Sequence, residues 1–183
     1  MTTYIALLRG INVSGKNTIR MAELRDSMER MGFASTQTYL QSGNIVFRTG
    51  TTDEAKLAAS IEARIGQDFG HVVSVLVLTA HDLERIASSN PLWPATGGEE
   101  SHFHCTFLFE AVQPERFRAL QLPATEGERA VLVGQAVLLH CPHGYGKTKL
   151  NNSYFERALG VAATTRNWRT VLALQELCSA PAP

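Results

Sequence analysis

The residues best suited to chemistry stand near the start of the chain, where Leu7-Leu8 runs into Arg9-Gly10-Ile11-Asn12-Val13-Ser14-Gly15-Lys16-Asn17. Gly10 and Gly15 permit backbone conformations closed to other residues and let a ligand approach the main chain, while Arg9 and Lys16 supply donors suited to anions. Gly10 to Lys16 has the spacing of a phosphate-binding P-loop, G-x-x-x-x-G-K-[ST]. Asn17, however, stands where that motif places the magnesium-binding hydroxyl, and the helical period starts only near Met21. A P-loop needs its helix to begin at once, so that the N-terminal dipole faces the phosphate. The stretch therefore reads either as a loop for another anion or polar ligand, or as an irregular connection whose glycines serve turns.

A second group of reactive side chains lies further along: His102, His104, His140, Cys141 and His143, with Lys147, Lys149, Arg166 and Asn167 beyond them. Imidazoles and a thiolate are zinc or copper ligands. Their spacing matches neither H-E-x-x-H nor C-x-x-C, and His140 and Cys141 alternate sides of a strand, so no metal and no cofactor is expected. The basic members suit an anionic group better, because Arg166 can fork onto a phosphate or carboxylate while the lysines add charge. The competing reading is that Asn167 caps the last helix and Arg166 packs on Trp168.

The elements that position these groups follow from periodicity. Thr3 to Leu8 reads as a strand, and Met21, Leu24, Met28 and Met31 as the core face of a helix closed by Gly32. Strands at Thr36 to Leu40 and Asn44 to Arg48 flank Gln41-Ser42-Gly43, a hairpin loop. Asp53 caps a helix that ends at Gly70, Val72 to Leu78 reads as a strand, and Thr79 with Asp82 forms a capping box before Asn90-Pro91. The order then repeats: a strand at Phe103 to Phe109, a helix opened by Pro114, and a hairpin across Gly134-Gln135. A helix with Leu150, Tyr154 and Leu159, a strand around Val161 to Thr165 and a last helix complete it. The fold class is α+β, two ferredoxin-like β-α-β-β-α-β halves, each followed by an extra helix. Residues 1–90 form the first half, 91–101 the linker and 102–183 the second.

The strings Leu7-Leu8-Arg9-Gly10-Ile11-Asn12-Val13 with Gly15-Lys16, Tyr39-Leu40-Gln41-Ser42-Gly43-Asn44 with Val46-Phe47, and Thr164-Thr165-Arg166-Asn167-Trp168 resemble the bacterial domain of unknown function 1697 family. Thr148-Lys149-Leu150 stands where that family usually has Ser-Lys-Leu, which keeps the hydroxyl and the charge. The resemblance implies a duplicated ferredoxin-like fold and brings no established activity with it.

In that topology the first and third strands are antiparallel neighbours, which sets Arg9, Gly10 and Asn12 beside Gln41, Ser42 and Asn44. The same rule sets His102 and His104 near His140, Cys141 and His143. The preferred function is non-catalytic binding of a small anionic or phosphate-bearing ligand by Arg9, Lys16, Ser42, Asn44, Lys149 and Arg166, with Gly10, Asn12, Gln41 and Asn167 in support. The alternatives are an enzyme of phosphoryl or acyl transfer and an RNA-binding protein. The first lacks a paired carboxylate or a G-x-S-x-G elbow, the second aromatic stacking strings. Seventeen basic residues balance seventeen acidic ones, so no global field recruits nucleic acid or an anionic membrane. Three widely spaced cysteines and no leader-like run at Met1 fit a reduced, cytoplasmic protein with no membrane segment.

Overall fold

The computed structural model describes residues 1–93 and 99–180. Residues 94–98, inside the expected linker, and the terminal 181–183 lie outside the described residues. The chain divides into two compact units, one of Met1–Leu83 with Leu174–Pro183 and one of Glu84–Ala173.

The first runs β1 (Thr2–Leu8), α1 (Met21–Arg30), β2 (Ala34–Tyr39), β3 (Asn44–Thr49), α2 (Glu54–Phe69), β4 (Val75–Thr79) and into α3 (Ala80–Ser88). Its strands form one antiparallel sheet in the order β2-β3-β1-β4. Alternation along the strands sends Tyr4, Ala6, Leu8, Ile45, Phe47, Val75 and Val77 to one face, where Leu24 and Met28 of α1 and Leu57, Ile61 and Ile65 of α2 meet them. Each of the buried Leu, Ile, Val, Met and Phe side chains among them contributes on the order of 2 kcal/mol. The methionine face is core, with Met21 and Met31 packed at its edge. Asp53 caps α2 by accepting from the Lys56 N–H at 3.0 Å, and Gly70 ends it at φ 69°.

One strand is shorter than its hydrophobicity suggests. β4 begins at Val75, and Val72 is 99% exposed. The apolar run continues past the ladder because Arg9 closes the pairing, its N–H donating to the Ser74 carbonyl. β2 carries an irregularity that periodicity does not reveal: its register with β3 shifts between Ala34 and Gln37, with Ser35 at φ 51°.

The second unit contains β5 (Phe103–Leu108), α4 (Pro114–Arg118), β6 (Arg129–Val133), β7 (Ala136–His140), α5 (Asn152–Leu159), β8 (Ala163–Asn167) and the start of α6 (Trp168–Ser179). Its sheet order, β6-β7-β5-β8, repeats that of the first. Leu108, Val137, Leu139 and Ala163 form the sheet side of a core completed by Phe117 of α4 and by Phe155 and Leu159 of α5. Pro114 opens α4 and Asn151 caps α5, its side chain accepting from the Tyr154 N–H at 3.0 Å. Asn90 folds an Asx turn by accepting from the N–H groups of Leu92 and Trp93, and Trp93 then stacks edge-on against Phe103.

Candidate functional site

In the first unit the polar rim lies where β1 leaves the sheet. Leu7 pairs with Asn44 in the ladder, and the Leu8 N–H donates to the Gly43 carbonyl at 2.9 Å, so the β1 exit meets the β2–β3 turn as the topology requires. Asn12 fixes this meeting. Its Nδ2 donates to the carbonyls of Gln41 and Ile19 at 2.8 and 3.0 Å, while its Oδ1 accepts from the Ile19 N–H at 2.8 Å. Asn17 closes the loop base by donating to the Gly10 carbonyl at 3.1 Å. Asn44 donates to the Tyr39 carbonyl and to Ser42 Oγ. A Cβ on Gly43 would lie 2.7 Å from Ile11 Cδ1 and 2.8 Å from Leu8 Cβ. Glycine is required there for close approach.

Between these anchors the backbone turns left-handed at Gly10, Asn12, Ser14, Gly15 and Asn17, with φ of 71°, 52°, 50°, 73° and 47°. Ser14 and Gly15 make the turn of a miniature hairpin in which Val13 bridges Lys16. The P-loop reading does not fit this geometry. Lys16 is on a hairpin, and the next helix starts at Met21 behind Arg20, which makes no capping bond. Arg9, Ser14, Gly15 and Lys16 are exposed at the rim, and Gln41 and Ser42 are exposed beside it.

In the second unit the strand ends also meet: the Cys141 N–H donates to the His102 carbonyl, Phe103 pairs with His140 and His104 with Asn167. The side chains then diverge. His140 stacks on Phe103 and contacts the Gly127 carbonyl, His143 contacts the Glu126 carbonyl, and His104 stacks on Tyr145 with ring centroids 4.5 Å apart. No three histidine, cysteine or acidic side chains among the described residues are placed to hold a metal ion. Burial pushes the His104 pKa down to about 4 and raises the Cys141 thiol to about 11.

Arg166 is on the sheet face opposite His104 and Thr165, opposite Cys105 in register. Its guanidinium is buried and donates to Thr164 Oγ1 at 2.7 Å and to the Thr165 carbonyl at 3.0 Å. Burial lowers its pKa to about 10. Asn167 caps α6, its Oδ1 accepting from the Thr170 N–H at 2.8 Å. Lys149 is exposed, over an open recess of about 350 Å³ shared with Asn151, Tyr154 and Arg157. Lys147 is exposed at the end of a short 3-10 turn.

A hydroxyl and amide network on the helix-facing side of this sheet has no signal in the sequence. Thr165 Oγ1 bonds Thr106 Oγ1 at 2.9 Å and Asn152 Oδ1 at 3.0 Å, and Tyr145 Oη accepts from the Asn152 N–H. These residues come from separate elements and form no motif.

Strand order and one-sided helix packing define each unit as ferredoxin-like, and the chain as a duplication of that α+β fold. The chain belongs to the family described as Protein of unknown function (DUF1697), which it matches over residues 1–138. Among solved structures, the conserved bacterial protein SP0830 from Streptococcus pneumoniae superposes with a TM-score of 0.73 at 22% identity, covering 97% of this chain and 99% of that one. At that identity the likeness establishes the fold. No curated protein matches the chain. No helix among the described residues is long and apolar enough to cross a membrane.

Proposed function

We propose that the protein is a non-catalytic binder of a small anionic or phosphate-bearing ligand, and that the rim of the first unit is where the ligand sits. The observation that carries this reading is the loop from Arg9 to Asn17, which places five left-handed residues in one connection. Asparagine takes that region readily, but Ser14 is strained there by about 1 kcal/mol or more, and strain of this kind persists where surrounding contacts over-determine it. Asn12, Asn17 and Gly43 supply the holding contacts. The exposed product is a fixed turn, Ser14-Gly15, with Lys16 at its end and Arg9 at its base. A preorganised loop binds at lower entropic cost than one ordered by its ligand. Gln41 and Ser42 add amide and hydroxyl groups beside it.

In the second unit Lys149 belongs to this reading as a separate basic surface. Arg166 and Asn167 belong to it through the β8 end they hold in place.

The test is a thermal-shift screen of nucleotides, sugar phosphates and carboxylates at low salt, because a ligand that binds only the folded state raises Tm. Any hit is repeated with Lys16→Ala and Arg9→Ala. Loss of one charged contact should weaken binding by about 1.5–3 kcal/mol, at least tenfold. Hits that survive both substitutions unchanged remove the rim from the proposal.

A further inference from the structure

On the face of the first sheet opposite α1 and α2, Arg48 projects from β3 between Thr3 of β1 and the bulge of β2. Its Nε is buried and has no hydrogen-bond partner among the described residues. Arg48 lines a half-open cavity of about 250 Å³ together with the polar Thr3, Ser35 and Gln37 and the apolar Val46 and Leu177. All of these residues belong to one unit. A buried guanidinium nitrogen left unsatisfied is costly, and such groups need an explanation beyond stability. The β2 bulge supplies a second sign of construction. The register breaks between Ala34, which pairs with Arg48, and Gln37, and Ser35 is held at φ 51°. A bulge re-aims side chains, and here Ser35 and Gln37 both reach the cavity wall.

We propose that this cavity is a second site, distinct from the rim loop, that takes the carboxylate of a small organic acid on Arg48 and its short apolar body against Val46 and Leu177. The single guanidinium matches a planar, singly charged carboxylate through two parallel N–H···O bonds. A doubly charged phosphate would leave one charge unmatched beside apolar walls. The volume of about 250 Å³ is enough for a short organic acid.

Cys178 lies at the wall and is the only one of the three cysteines that is not fully buried, so it reports occupancy. The experiment follows alkylation of Cys178 in the folded chain with benzoate, butyrate, benzamide and inorganic phosphate as probes. Benzoate or butyrate should slow the reaction saturably, and benzamide, the neutral isostere of benzoate, should not. Arg48→Met should weaken acid protection at least tenfold without lowering Tm, since it removes an unpartnered buried donor. Arg48→Lys should recover part of the protection. Lys16→Ala should leave it unchanged, which separates this site from the rim. Equal protection by benzamide, protection by phosphate instead of the acids, or no protection by either acid would overturn the proposal. So would an Arg48→Met protein that loses Tm and still binds acid, because Arg48 would then be structural.

Discussion

Asn12 and Ile19 are bonded in both directions, the amide Nδ2 donating to the Ile19 carbonyl at 3.0 Å and Oδ1 accepting from the Ile19 N–H at 2.8 Å. One side chain thereby acts as a strand partner for residues that have none, and its second Nδ2 bond, to Gln41, ties the loop to the neighbouring turn. Asn12→Ala leaves the Ile19 N–H and two carbonyls unpaired. It should cost about 1–3 kcal/mol of unfolding free energy, measured as a fall in the urea midpoint at unchanged m.

Gly43 should tolerate no side chain. At φ 80°, with a Cβ placed 2.7 Å from Ile11 Cδ1, Gly43→Ala combines left-handed strain with overpacking and should destabilise by about 2–4 kcal/mol. Shortening the opposing side chain in the double variant Gly43→Ala/Ile11→Val should return part of that loss. A double variant no more stable than Gly43→Ala alone would place the cost in the backbone and in the remaining approach to Leu8 Cβ.

His104 should make stability depend on pH below neutrality. Burial holds its folded pKa near 4, below the ordinary 6.5, so between those values the unfolded chain binds a proton that the folded chain refuses. Stability from this residue is full above about pH 6.5 and declines as pH falls toward 4. Chemical denaturation across that window should show the slope, and His104→Phe, which keeps the stack on Tyr145, should flatten it.

The thiols should separate by burial. Cys105 and Cys141 are buried and Cys178 is partly exposed, and all three are free. One group should react in the folded protein and three after unfolding without reductant. A single reactive group after unfolding would show a disulfide.

The element order was legible because caps and periodicity agreed. Asp53, Gly70 and Pro114 mark helix ends by mechanisms that act within a few residues, and the structure places an end at each. The meeting of Asn12 with Gln41 followed from topology, since antiparallel first and third strands bring the end of one beside the start of the other. What periodicity could not show was side-chain direction. The histidines share a sheet end, yet His140 turns to Phe103 and His104 to Tyr145, contacts decided by packing between elements distant in sequence. Arg48 escaped for the same reason, because a strand arginine reads as solvent-facing until the bulge beside it is seen.

The most direct measurement of the rim proposal is a titration of the isotopically labelled protein with inorganic pyrophosphate at low salt, following backbone amide shifts. Shifts should concentrate at residues 10–17 and at Gln41 and Ser42, saturate together, and weaken at least tenfold in Lys16→Ala. Shifts absent from that loop, or unchanged by the substitution, would contradict anion binding there and leave the rim as a loop that holds only itself.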